Sequence, residues 1–97
     1  MTEKKKEDNV VFIGSKPFMN YVRAVEIQFS QNSSKEVIIK SRGKFISRAV
    51  DVEQVIKHGA LGQQVETKSI VTNSEEFQNQ EGRKIKVSTI EITLAKK

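Results

Sequence analysis

The chain of 97 residues contains no cysteine, only one proline and only one histidine. Without cysteine it can form no disulfide, no thiolate metal site and no thiol nucleophile. The single histidine, His58, falls in the last turn of a predicted helix, where the helix dipole accounts for it without catalysis. No apolar run is long enough for a signal peptide or a membrane span. We therefore expect a soluble, cytoplasmic protein that is not an enzyme and needs no metal or cofactor.

Positive charge is what the sequence has in excess. Seventeen Lys and Arg residues stand against twelve Asp and Glu residues, which gives a formal net charge of +5. This balance favours a polyanionic partner, either nucleic acid or an acidic membrane surface. Hydrophobic residues make up 36% of the chain, which is enough to build a core. A chain this short buries proportionally little surface, so pairing with a second copy would stabilise it.

The pattern of apolar residues predicts a charged tail followed by one folded domain. Residues 1–8 mix lysine with acidic residues and cannot bury anything, so we expect a mobile tail before a domain at 9–97. Apolar residues then recur at strand or helix spacing. The predicted elements are strand 10–13, helix 17–29, strand 37–39, helix 46–58, strand 65–72 and strand 87–94, with Phe12, Phe18, Tyr21 and Phe29 in the core. This βαβαββ order predicts an α+β fold arranged as a two-layer α/β sandwich.

A first basic segment, residues 14–17, joins the first predicted strand to the first predicted helix. Free backbone N–H groups and the positive end of the helix dipole favour an anion there, and Lys16 adds a full charge. The segment would suit a phosphate oxygen. The alternative interpretation is a plain turn with a solvated lysine.

A second basic segment, residues 40–44, follows the second predicted strand. Lys40, Arg42 and Lys44 crowd a short loop in which Gly43 lets the backbone turn tightly. Arg42 can hold phosphate with two parallel hydrogen bonds, whereas the lysines act as point charges. The alternative is a solvated basic turn. If the first two strands are parallel, both basic segments lie at one edge of the sheet and form one patch.

A third basic segment belongs to the polar connection at 73–84, which is long enough to project as a mobile hairpin. Its returning arm carries Arg83, Lys84 and Lys86, which can contact phosphates along a groove. Glu75, Glu76 and Glu81 lie in the same connection and would oppose phosphate, and Glu75 and Glu76 form a carboxylate pair. Because they lie in a loop rather than a cleft, they also lack the positioning that acid–base catalysis requires. The alternative is a hairpin without a partner.

Three runs of residues resemble the Alba family of archaeal chromatin proteins. The first is residues 9–22 (NVVFIGSKPFMNYV), and the second is residues 39–51 (IKSRGKFISRAVD). The third comprises Gly82, Arg83 and the strand residues 87–92. The resemblance covers nearly the whole chain after residue 8.

This resemblance implies a fold similar to the C-terminal domain of a translation initiation factor, with a long projecting hairpin between the last two strands. It also implies a homodimer without catalytic activity that binds double-stranded DNA, and also RNA, and associates with the chromosome. The basic loops would contact the nucleic-acid backbone near the centre of the dimer, and the two hairpins would reach toward the minor groove. The residues at these positions are Lys16, Arg42, Lys44 and Arg83, with Lys40, Lys84 and Lys86 as supporting charge.

The chain departs from the family pattern at three places that bear on function. One is Lys44, where the family's second loop often carries arginine; a lysine there exchanges a forked contact for a point charge and should lower affinity modestly. Ser15 stands where many members carry the first of two loop lysines, a site of acetylation, so that modification is lost here. Residues 59–62 occupy the stretch in which many members carry an aromatic residue that packs one dimer on the next along DNA. Cooperative packing would then depend on whether Leu61 substitutes for the missing ring.

Three interpretations of function follow. The leading one is sequence-independent binding of double-stranded DNA by a dimeric chromatin protein that neutralises phosphates. The second is an RNA-binding role in ribosome or ribonuclease P biology, because the same cations can contact A-form RNA. The third is a heterodimer with a paralogue, in which this chain tunes DNA packing. The missing aromatic residue near Ala60 motivates the third interpretation.

Overall fold

The computed structural model describes residues 9–97, and the predicted tail at 1–8 lies outside the described residues. Strand β1 spans Val10–Phe12, helix α1 Phe18–Ser30, strand β2 Glu36–Arg42, a 3₁₀ turn Gly43–Phe45, helix α2 Ile46–His58, strand β3 Val65–Gln78 and strand β4 Lys84–Lys96. This is the predicted βαβαββ order, and it confirms the α+β class. No helix within the described range is long and apolar enough to cross a membrane.

The four strands form one mixed sheet in the order β1–β2–β4–β3. Strands β1 and β2 are parallel, which the intervening helix α1 permits, and the other two pairings are antiparallel. The register places Val11, Ile39 and Ile92 in one row across the sheet. Because successive side chains of a strand point to opposite sides, rows alternate between a face covered by the helices and an open face.

The core lies between the two helices and the covered face of the sheet. Each helix presents one apolar stripe to it, because residues three and four apart share a helix face. In α1 the stripe includes Val25 and Phe29, and in α2 it includes Val52 and Ile56, all of which are fully or almost fully buried. The other buried core residues are Val11, Ile13, Tyr21, Val22, Val37, Ile39, Ala49, Val65, Ile90, Ile92 and Leu94.

The prediction that Phe12 lies in the core is wrong, since its side chain is 69% exposed on the open face. A continuous apolar run is typical of a strand covered on both faces, whereas β1 is an edge strand with one open face. Val11 therefore takes the core position in this strand. The other three predicted core aromatics behave as expected: Tyr21 and Phe29 are buried, and the half-buried Phe18 packs against the core.

The strands are longer than their apolar runs indicated. Strand β2 continues to Arg42, so Lys40 is a strand residue rather than a loop residue, and the chain turns only from Gly43 onward. The prediction that residues 73–84 form a loop is also wrong, because β3 and β4 remain paired as far as Gln78 and Lys84. The long projecting hairpin itself is confirmed, and a tight turn at residues 79–83 closes it.

Candidate nucleic-acid interface

The first basic segment is held in one conformation by Tyr21 and Arg48. The phenolic oxygen of Tyr21 accepts hydrogen bonds from the backbone N–H groups of Gly14, at 3.0 Å, and Lys16, at 2.9 Å. The Arg48 guanidinium, on α2, donates to the carbonyl oxygens of the same two residues. It also lies 5.9 Å from the ring centres of Phe18 and Tyr21, within range of cation–π attraction. Hydrogen bonds therefore connect residues 14–16 to both helices, through Tyr21 on α1 and Arg48 on α2.

These contacts change how the segment can meet an anion. The N–H groups of Gly14 and Lys16 already have an acceptor in Tyr21, and Pro17 has no N–H to offer. The sequence-based expectation of free backbone N–H groups is therefore wrong for Gly14, Lys16 and Pro17. The exposed Lys16 side chain is what this segment presents to a polyanion.

The second basic segment begins on the open face of the sheet with Lys40. This residue stands in one row of the ladder between Phe12 on β1 and Glu91 on β4. Its ammonium lies 5.8 Å from the centre of the Phe12 ring and 3.5 Å from the Glu91 carboxylate. Only 35% of the Lys40 side chain is exposed, so its charge is largely engaged by neighbours within the protein.

Arg42 lies two residues further along the same face and is more accessible. Its side chain is 65% exposed, and Nη1 donates to the carboxylate of Glu75 on β3 at 3.2 Å. In the ladder Arg42 stands opposite Thr89 of β4, which in turn stands opposite Asn73 of β3. The guanidinium therefore reaches across β4 to a row nearer the hairpin tip. Both predicted contact residues on β2 are paired with carboxylates of other strands, Lys40 with Glu91 on β4 and Arg42 with Glu75 on β3.

A cleft of about 710 Å³ lies where β1 and β2 end. The 3₁₀ turn forms one side of it, and Gly43 takes a left-handed φ of +62° there, which glycine adopts at little cost. Lys44 follows in the turn, exposed, with its ammonium 5.5 Å from the centre of the Phe45 ring. The parallel pairing of β1 and β2 brings the two basic segments to the same edge, as predicted. The residues lining the cleft include Gly14, Lys40, Arg42, Lys44 and Glu75, but not Lys16.

The third basic segment lies on the returning arm of the hairpin. Arg83 belongs to the turn, in which the side-chain oxygen of Asn79 accepts its backbone N–H at 3.0 Å. On β4, Lys84 and Lys86 are an even number of residues from the buried Ile90, so their side chains lie on the same side of the sheet as Ile90. Arg42 lies on the opposite, open side. The predicted cations are thus distributed over both faces of the sheet and its hairpin, rather than gathered on one surface.

Two other features of the described residues bear on the site. Lys68 hydrogen-bonds Glu36, and this bond, reinforced by the carboxylate charge, raises the pKa of Lys68. Because Glu36 begins β2, this pair lies at the end of the sheet opposite the cleft. Within residues 9–97, no three Asp, Glu or His side chains come together as a metal site would need.

The sequence alone indicates neither the role of Arg48 nor the pairing of Arg42 with Glu75. In the sequence Arg48 is simply one cation on an amphipathic helix, 34 residues from Gly14. Arg42 and Glu75 are 33 residues apart. No local pattern links partners so distant. Only the strand order and register show which carboxylates and carbonyl groups lie within reach of each cation.

The fold and its basic segments have counterparts among known proteins. The family model described as Alba matches residues 9–74. The chain belongs to the Alba family. The DNA/RNA-binding protein Alba of Methanocella arvoryzae is 51% identical over 88 residues, covering 91% of this chain and 90% of the relative. The protein of the same name from Methanococcus maripaludis is 47% identical over 89 residues, with coverage of 92% and 99%.

A solved structure supports the same assignment. Alba from Thermoplasma volcanium has a TM-score of 0.81 to this chain at 44% sequence identity, covering 90% of this chain and 99% of that one. Membership of the Alba family confirms the resemblance inferred from the sequence and the prediction that the chain is not an enzyme. None of these similarities identifies a contact residue, so the contact residues stay predictions.

Proposed function

We propose that this protein binds double-stranded DNA without sequence preference, as a dimeric chromosomal protein. The observation that carries the proposal is the basic edge at which the parallel strands β1 and β2 end, with Arg42 as the last residue of β2 and Lys16 and Lys44 in the segments that follow. Close relatives of the chain are named DNA/RNA-binding proteins, which supports the same ligand class. Long cationic side chains on an exposed edge suit phosphates, and phosphate contacts carry no direct sequence information.

The hairpin extends this contact surface beyond the body of the domain. The described residues measure 46 Å along the longest axis and 23 Å along the shortest, which fits a body with a projecting arm. A two-stranded ribbon has suitable dimensions to follow a groove, with cations along its flanks. We assign Arg83, Lys84 and Lys86 to phosphates on this arm, and Lys40 to a supporting role because Glu91 and Phe12 already engage it.

Competitive binding across a salt series tests the proposed contacts. Arg42→Ala and Lys16→Ala should each weaken binding to unrelated duplexes alike, by about fivefold near physiological salt. Each should also lower the slope of log affinity against log salt by about 0.9, the value for one lost phosphate contact. Lys68→Ala is the control, because it removes the same charge at the opposite end of the sheet.

The other outcomes of this experiment are equally informative. A variant that binds like the wild type at every salt concentration would remove that residue from the site. Tighter binding to duplex RNA than to matched DNA would replace the DNA role with the RNA-binding alternative, which the relatives' names also support. Absence of binding to either duplex at low salt would refute the proposed function.

We also propose that the chain acts as a homodimer. A domain of this size buries little surface by itself, and several large apolar side chains lie exposed. They include Val50 and Val55 on α2 and Ile70 and Val71 on β3. Light scattering should give a mass near twice 11.0 kDa over a range of concentrations, whereas a constant monomer mass would contradict the proposal. Formation of mixed dimers after refolding with a paralogue would favour the heterodimer interpretation instead.

A further inference from the structure

The contact between Arg42 and Glu75 places a carboxylate against a cation that we assign to phosphate binding. The two atoms are 3.2 Å apart, and both side chains remain largely exposed, at 65% and 58%. Asn73 of β3 shares a row of the sheet with Arg42. Glu75 lies on the same open face, two residues beyond Asn73 toward the tip of the hairpin. The pair also lines the cleft between the hairpin and the basic turn. The carboxylate therefore lies within the proposed interface itself.

A carboxylate and a phosphate compete for the same guanidinium. Each accepts hydrogen bonds from the planar N–H edge of arginine, and each is negatively charged. A phosphate that approaches the Nη1 edge of Arg42 therefore meets the Glu75 carboxylate there, and it must displace that carboxylate to use this edge. If the carboxylate stays nearby after displacement, it repels the phosphate as a like charge.

We propose that Glu75 is an intramolecular competitor that occupies Arg42 until a nucleic-acid phosphate displaces it. This inference rests on the proposed function. That function assigns cations that raise the affinity for nucleic acid, and the inference adds one residue, Glu75, that lowers it. Breaking the contact leaves the pairing of β3 with β4 intact, so the exchange of partners at Arg42 needs no change in the sheet.

The other acidic residues near the site are less suited to this role. Glu76 is the next residue along β3, so it lies on the opposite side of the ladder, across from Lys86. Glu91 does contact a predicted cation, but that cation, Lys40, is also held by the ring of Phe12 and is less exposed. Glu75 alone among these three joins an accessible arginine at the cleft.

The effect of Glu75 should be moderate and dependent on salt. An exposed ion pair is weak, so phosphate can displace the carboxylate and binding is reduced rather than blocked. From the usual strength of such pairs we expect Glu75→Gln to bind duplex DNA about two- to fivefold more tightly than the wild type. Because salt screens exposed charges, the gain should be largest at low ionic strength and shrink as salt is raised.

The test compares two substitutions that change the net charge equally. Glu75→Gln removes the carboxylate beside Arg42, whereas Glu66→Gln removes one at the far end of β3, where it stands opposite Ala95 of β4. Both are measured against a fixed duplex over a salt series, together with Arg42→Ala and the double variant Arg42→Ala/Glu75→Gln. If Glu75 acts through Arg42, the gain from Glu75→Gln should disappear when Arg42 is already alanine.

The outcomes separate this inference from the proposed function. Equal gains from Glu75→Gln and Glu66→Gln would reduce the effect to net charge and overturn the inference. A gain that persists in the Arg42→Ala background would overturn it as well. If the wild type binds DNA, Arg42→Ala weakens binding and Glu75→Gln binds like the wild type, only the competitor role is refuted. If the wild type binds no duplex at low salt, the proposed function and this inference are refuted together.

Discussion

Tyr21 is buried in the core, yet its phenolic oxygen reaches the first basic segment and accepts two backbone hydrogen bonds. One side chain therefore serves both the packing of α1 and the shape of the loop that carries Lys16. The guanidinium of Arg48 completes the arrangement by binding the carbonyl oxygens of the same two residues. The direction in which Lys16 leaves the domain is thus determined by two residues that we do not assign to nucleic-acid contacts.

Replacing Tyr21 by phenylalanine tests this arrangement. The Tyr21→Phe variant keeps the ring but removes the acceptor of two N–H groups, so the free energy of unfolding should fall by about 1–3 kcal/mol. Urea denaturation measures the loss, and hydrogen exchange should become faster at the amides of Gly14 and Lys16. Ser15→Ala, a change in an exposed side chain of the same loop, should leave stability within about 0.5 kcal/mol. Unchanged exchange at both amides in Tyr21→Phe would show that the phenolic oxygen does not hold the loop.

The helices and the strands differ in how well the sequence predicts where they begin and end. The predicted helix at 46–58 has the observed bounds, and the predicted helix at 17–29 is displaced by one residue. Both helices bury an apolar stripe, and the spacing of that stripe is visible in the sequence. The hairpin carries no comparable signal, because its strands beyond residue 72 are mostly polar. Backbone hydrogen bonds between β3 and β4 form these strands, and such bonds leave little trace in side-chain pattern.

The basic segments show the same contrast. Their charges are local in the sequence, so the residues that carry them could be predicted from composition and from the family resemblance. Their partners could not, because the contact of Arg42 with Glu75 depends on β4 lying between β2 and β3. The same holds for Phe12, whose exposure follows from the position of β1 at the sheet edge. Topology therefore decides which predicted cations are available to a ligand and which are already engaged.

For the whole molecule, the connection after α2 is the stretch at which the family resemblance predicts that neighbouring copies would meet along DNA. The turn packs tightly against the end of the helix: a Cβ on Gly62 would lie only 2.1 Å from the carbonyl oxygen of Lys57, so only glycine fits there. Leu61 is half-buried and packs against the core, so only part of its side chain is available to a neighbouring copy. Ala60 is exposed but small. The chain therefore has no large exposed apolar side chain between residues 59 and 62.

Binding along a long duplex should accordingly show little cooperativity, with neighbouring molecules binding almost independently. Ala60→Phe restores a ring at the exposed position, and contact between apolar side chains of adjacent molecules should then raise the cooperativity factor about two- to tenfold. Titration of a duplex long enough for many copies measures this factor, and a duplex that holds one copy gives the intrinsic affinity. Ala60→Ser, which adds no ring, should behave like the wild type on both duplexes. Strong cooperativity of the wild type itself would mean that neighbours meet through another surface, such as the hairpin arms, and that the turn after α2 does not limit their packing.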